Sequence, residues 1–294
     1  MRDYFTKVML VAWALAACGP GRTTFARHPA GATTFDRSGS DPKALAIADK
    51  VLATAGGADA WNKVKQLRWT EVIANDGKVL FTFEEAWDRW DGRLHARMRK
   101  AGSRTDAVDS SHNPTQSSRE NAGDVVVMKK LYADGGNAYF DTGSGLRTLD
   151  PGDVQRAVST VREAWRFATV ALCIPFLLEE PGTKLELVGD AVDDPAKPPL
   201  DDIKVTLDPK DPNRTSTYHI LVNRETNLID RLDIVEAGQD DNKRTAYHPT
   251  KRIAVGGLQI PTVFENVGAK GEVITCTDIT AGEPDEALYV PVVQ

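Results

Sequence analysis

Apolar positions along the chain switch between two periods. Asp41-Pro42 reads as an N-cap followed by proline at the first helical position. Leu45, Ala48, Val51, Leu52 and Ala55 then share one helical face, which Gly56-Gly57 can end. Beyond this point the period shortens to two. Residues 67–73 alternate as a half-buried strand, Asn75-Asp76-Gly77 supplies a hairpin turn, and 79–84 form the return strand. Residues 87–90 continue it, Asp91-Gly92 turns, and 93–99 give a third strand. Residues 100–123 are polar and nearly free of large apolar side chains, which predicts a loop or insertion. Strands resume at 125–132 and 138–141 around Gly135-Gly136-Asn137.

Helical spacing returns at Pro151. Val154, Val158, Val161, Trp165 and Ala168 or Thr169 fall on one face, and Ala171, Leu172 and Ile174 extend it up to Pro175. Phe176, Leu177 and Leu178 prolong this into an apolar corner. Alternation then recurs at 185–188, 203–207, 217–222, 228–235, 245–248, 253–255, 263–266 and 273–279. Residues 223–227 read as a hairpin connection, and 193–199 and 208–213 as Pro- and Asp-rich loops. Two helices are too few to cover both faces of a parallel sheet, whereas sequential strands with short turns predict an antiparallel meander. The expectation is an α+β fold: a mainly antiparallel, curved β-sheet, an incomplete β-barrel, wrapped around one or two helices. Residues 41–294 would form it as a single domain.

The first forty residues have a different character. Residues 8–17 are apolar and uncharged behind Arg2 and Lys7, which suits the core of a secretory signal but is too short for a membrane-spanning helix. The run ends in Leu15-Ala16-Ala17-Cys18-Gly19, which resembles the lipobox of bacterial lipoproteins. That resemblance implies removal of residues 1–17 and lipidation of the Cys18 thiol, with several acyl chains giving a stable anchor. An ordinary secretory signal with a chance cysteine is the competing reading. By resemblance to Gram-negative sorting rules, Gly19 rather than Asp implies the outer membrane, facing the periplasm, or the cell membrane in a single-membraned host. Residues 19–40, rich in Gly, Thr, Ser, Arg and Pro, read as a tether behind the lipidated cysteine.

Charge and chemistry narrow the function classes. A net charge of −6 argues against nucleic acid as a partner, because phosphate binding needs clustered Lys and Arg. No later segment can cross a bilayer; the most apolar stretch, 168–178, is short and contains Pro175. His28 lies in the tether, and His95, His112, His219 and His248 are scattered without a HExxH pair or a Cys/His cluster. Gly143-Ser144-Gly145 lacks the GxSxG spacing, and no P-loop or GxGxxG occurs. Asp240-Asp241-Asn242 and 208–213 lack EF-hand spacing. Glu84-Glu85 and Glu179-Glu180 each point two ways on a regular element, so neither makes an acid/base pair. No catalytic residue, metal or cofactor is therefore expected. Cys173 and Cys276 could pair in an oxidising compartment, but their apolar surroundings equally suit buried free thiols.

Several features resemble the LolA/LolB-type family of envelope carriers and lipoproteins. They are the lipobox, the passage from the first helix through Gly56-Gly57 to Ala60-Trp61, and the Trp-containing strands with Asp91-Gly92. The apolar helix before Pro175 and the ending Leu288-Tyr289-Val290-Pro291 complete the resemblance, which covers about 41–291. The long 100–123 loop and the extra acidic loops depart from it. The resemblance implies a half-barrel with helices on its concave side and noncovalent binding of an acyl chain, lipid or lipoprotein there. The side chains placed to line such a site are Phe81, Phe83, Trp87, Trp165, Phe167 and Phe176. Such an apolar stripe is more often a filled core, because every helix covering a sheet needs one. The expected partners are the membrane, through the lipid anchor, and a hydrophobic ligand or lipoprotein. A non-catalytic scaffold lipoprotein and an envelope hydrolase with an unrecognised site are the alternatives.

Overall fold

The structure, a computed structural model, describes residues 35–101, 123–129, 131, 136–142, 145–192, 199–207 and 216–290. The signal, Cys18, the tether up to 34, and nearly all of the loops at 100–123, 193–199 and 208–213 lie outside the described residues.

Among the described residues, three α-helices and thirteen strands follow one another. Helices α1 (Pro42–Thr54) and α2 (Gly57–Lys63) lead into β1 (Gln66–Asn75), β2 (Lys78–Asp88), β3 (Arg93–Lys100), β4 (Gly123–Met128), β5 (Asn137–Asp141) and β6 (Leu146–Thr148). After α3 (Pro151–Leu177) come β7 (Lys184–Ala191), β8 (Leu200–Thr206), β9 (Thr217–Val222), β10 (Ile229–Val235), β11 (Thr245–Val255), β12 (Leu258–Asn266) and β13 (Glu272–Gly282). All thirteen strands join one sheet in the order β6-β5-β4-β3-β2-β1-β13-β12-β11-β10-β9-β8-β7. Each neighbouring pair is antiparallel. The two halves are meanders that meet at β1 and β13. Their outer edges, β6 and β7, do not pair, so the barrel stays open.

The chain passes from one edge to the other through α3. Its 27 residues reach about 40 Å at 1.5 Å per residue, and it touches β5, β4, β2 and β12 on the way. The helix therefore lies across the concave face of the sheet, as the α+β incomplete barrel requires. One continuous core joins both meanders to it, from Leu67, Leu94 and Met128 through Val161, Trp165 and Leu172 to Ile203, Ile260 and Phe264.

The structure departs from the sequence expectation in four places. A third helix, α2, starts where α1 was expected to hand over to a strand. Gly56, at φ 117°, turns the chain, and Gly57 opens the new helix. Helix α3 runs through Pro175 to Leu177, with Pro175, Phe176 and Leu177 buried in the core, although the proline takes away the N–H that would bond the Ala171 carbonyl. The expected strands at 245–248 and 253–255 are one, β11. Its pairing with β10 involves only Thr245, Ala246 and Tyr247, and Pro249 sits at a shift in the register with β12, so the proline removes no ladder bond to β10. The short β6 was not foreseen. Cys173 and Cys276 are both buried and free, with no disulfide between them.

Candidate functional site

The interior beneath α3 is built from alternate residues of the central strands. Register sets Leu67 opposite Trp87, Trp69 opposite Glu85, Glu71 opposite Phe83 and Ile73 opposite Phe81. On the outer sides of this pair, Cys276 of β13 faces Glu71, while Ala96 and Met98 of β3 face Glu85 and Phe83. Leu67, Trp69 and Trp87 belong to the core, so the side chains that alternate with them in phase, Glu71 and Glu85, point into it.

These two carboxylic acids are buried, at 0% and 3% exposure. No oxygen of either group, and neither the Trp69 nor the Trp87 indole N–H beside them, makes a well-aligned hydrogen bond among the described residues. Burial pushes the Glu71 carboxyl up to about 8. Burial and then the neighbouring charge of Glu71 push Glu85 well up, and the Trp69 indole offsets part of this. Burial, followed by the charges of Glu71 and Glu85, raises the Cys276 thiol too. Each unpartnered buried polar group costs about 1–3 kcal/mol, which sets this patch apart from an ordinary filled core.

The six aromatic candidates fall into three groups. Trp87 and Trp165 meet edge to face at 5.7 Å. Trp61 lies 6.4 Å from Trp87 and stacks on Phe176 at 4.6 Å, so Trp87, Trp165 and Phe176 form one buried array. The Arg89 guanidinium lies 3.4 Å over Trp61 and donates to the Trp61 and Val64 carbonyls. Phe81 and Phe83 stack on each other at 6.0 Å, while Phe167 packs against Tyr247 at 5.1 Å. Packing is incomplete elsewhere: a cavity of about 30 Å³ lies between α1, the end of α3 and β10–β12, lined by Val51, Ala55, Ile174, Leu232, Arg252 and Phe264 among others. That is room for about one water.

In the sequence the acidic neighbour of Glu85 is Glu84. Glu84 does point the other way, to an ion pair with Arg99, and the true neighbour of Glu85 is Glu71 on the adjacent strand. The signal for Glu71 was present in its phase with Leu67, Trp69 and Ile73. Seeing the two acids together needed the β1–β2 register.

A second polar cluster lies among β8, β9 and the β10–β11 connection. His219, with 0% exposure, has Nδ1 2.8 Å from Asp202 Oδ1 and Nε2 3.2 Å from Asp241 Oδ1. Arg244 approaches Asp202 at 3.4 Å, and Arg231 binds Asp233. Its carboxylates and cations are mutually paired, so it ties the loop to the sheet. Among the described residues no three His, Cys, Asp or Glu side chains converge in metal-holding geometry, and no helix is long and apolar enough to cross a membrane.

The chain is similar in overall course to several solved structures. A DUF1329 family protein from Desulfovibrio piger shares 13% identity at a TM-score of 0.44, over 85% of this chain and 98% of that one. A LolA superfamily protein from Nitrosomonas europaea shares 11% at 0.44, over 84% and 97%. The Mycobacterium tuberculosis lipoprotein LppX shares 12% at 0.25, over 84% and 98%. No protein-family model matches the chain, and no curated protein matches it.

Proposed function

We propose that the chain is a cell-envelope lipoprotein that binds a hydrophobic ligand on the concave side of its half-barrel, beneath α3. The observation that carries this is the apolar seam where α1 and α3 meet β10–β12, which is left with an unfilled cavity. An acyl chain does not fit in about 30 Å³. Binding therefore entails α3 lifting from the sheet along that seam. Each methylene gained is worth about 0.8 kcal/mol, so a chain of twelve carbons or so offers on the order of 10 kcal/mol against the contacts α3 gives up. The open edges leave the sheet free to spread as the helix moves.

The anchor belongs to the same proposal and rests on Cys18 and the residues before it. Replacing Cys18 with Ala releases the protein from membranes or stalls its processing; a mature chain still held on membranes would overturn that part. For the ligand, the test is mass spectrometry of lipids copurifying with a form that lacks residues 1–18. An acyl-chain lipid near one per protein is expected. Lipid-free protein that also fails to take up an uncharged fluorescent alkyl probe would sink the reading.

One observation favours a second reading as a scaffold lipoprotein. Strand β7 ends the sheet; Ser40 and Asp41 cap its Leu185 backbone, and beyond this Val188, at a bulge against β8, is 53% exposed, an apolar contact point for a protein partner.

A further inference from the structure

We infer that Glu71 and Glu85 form the head-group subsite of the interior, and that the ligand it takes is an amphiphile carrying a primary ammonium. This rests on the reading that a hydrophobic ligand enters beneath α3.

Four carboxyl oxygens and two indole N–H groups stand on one stretch of the β1–β2 inner wall without a well-aligned hydrogen bond among the described residues, the Trp69 indole lying close enough to Glu85 only to ease its charge. The four indole and carboxyl side chains are all at least nine-tenths buried. Their arrangement is fixed by the strands rather than by loops: Trp69 sits opposite Glu85, with Glu71 two residues further along β1 on the same face. The Trp87 ring follows two residues after Glu85, and Trp165 of α3 packs edge-on against it. Buried carboxylates are tolerated when paired with a cation, yet no Lys, Arg or His of the described residues makes an ion pair with either one.

A ligand supplies what the chain withholds. An ammonium brings three N–H donors and a charge that favours the ionised acids, so the pair, held protonated in the closed protein, gives up a proton to solvent as the ligand enters; the cation is also drawn to the faces of Trp69 and Trp87. An acceptor oxygen two or three bonds from the nitrogen can receive an indole N–H. The apolar tail then runs along the core wall on the β13–β12 side, where Cys276, Ile274 and Phe264 line the same face and Phe264 also borders the cavity. A free anion or a plain fatty acid has no counterpart here, because its charge would meet two acids.

The discriminating experiment compares three ligands of one chain length, dodecylamine, dodecanol and dodecanoate, by isothermal titration to the form lacking residues 1–18. Because the whole chain carries −6, the titrations are run in about 0.5 M salt to screen non-specific attraction. The expected result is at least a tenfold preference for the amine over the alcohol, with dodecanoate weakest. Glu71→Gln and Glu85→Gln, which keep side-chain shape and volume, should each reduce that preference and together abolish it while dodecanol still binds. Equal binding of all three ligands, or a preference that survives both substitutions, overturns the head-group assignment but leaves the hydrophobic interior standing. Failure of all three to bind overturns both. A thermal melt of each variant confirms that it folds, and removing a buried acid is expected to raise the melting temperature.

Discussion

Glu71 and Glu85 lie diagonally across the β1–β2 pair, on the same buried face, two positions out of register with one another. Two acids so placed cannot both ionise in the closed protein without each opposing the other. Their protons are therefore part of the fold.

That proton has a stability signature. Glu71 titrates near 8 in the folded chain and near about 4.3 when unfolded, so the folded state binds the extra proton between those values. Stability should be full at the acid side of this window and fall as pH rises through it. The doubly substituted Glu71→Gln, Glu85→Gln chain should show little of this slope in urea midpoints taken between pH 5 and 8.5. An unchanged slope would show that the acids are hydrated.

His95 acts in the opposite direction. Burial first, then the charges of Arg97 and Arg68, lower its imidazole to about 4, against about 6.5 unfolded. The folded state binds fewer protons between these values, so this contribution is present above about 6.5 and is lost as pH falls towards 4. His95→Gln should flatten the acid limb of the stability curve. Because the two windows overlap, the wild-type curve alone is ambiguous and the variants are needed to separate them.

The two glycines after α1 should respond differently to alanine. A Cβ on Gly56, at φ 117°, would lie 2.3 Å from the Gly257 carbonyl oxygen, whereas one on Gly57, at φ 80°, meets nothing within 4 Å. Gly57→Ala should cost about 1–2 kcal/mol from backbone conformation alone. Gly56→Ala should cost about 4 kcal/mol or more, since backbone must also move. Denaturant midpoints of the two variants read the difference, and equal losses would count against the close approach.

Tyr289 fastens the chain's last described turn to the centre of the sheet. Its hydroxyl accepts from Gln66 Nε2 at 2.6 Å and donates to the Ala86 carbonyl at 3.3 Å. Tyr289→Phe leaves the buried Gln66 amide short of a partner, and a loss of about 1–3 kcal/mol is expected, measurable by chemical unfolding. No loss would mean that water replaces the hydroxyl.

Most of the architecture was legible in period and punctuation. The helix from Pro42, the Asp76-Gly77 turn with both residues at positive φ, and the long apolar helix are local features written in consecutive residues. The functional detail was less legible for a physical reason. Glu71 and Glu85 become neighbours only through strand register, a relation between distant residues that no local window contains. The aromatic candidates show the same limit. Trp87 meets Trp165 directly, but Phe176 joins them only through Trp61 of the added helix α2, while Phe167, on the same helix as Trp165, turns instead to Tyr247.

The strand order has a kinetic consequence. Strands β1 and β13 pair along most of their length although roughly two hundred residues separate them. The middle of the sheet, rather than an edge, is thus closed by the last strand to be made. Each meander can form early from near neighbours, but the seam between them waits for nearly the whole chain. Folding should be slow and late, with a half-sheet intermediate whose β1 edge stays bare until β13 arrives.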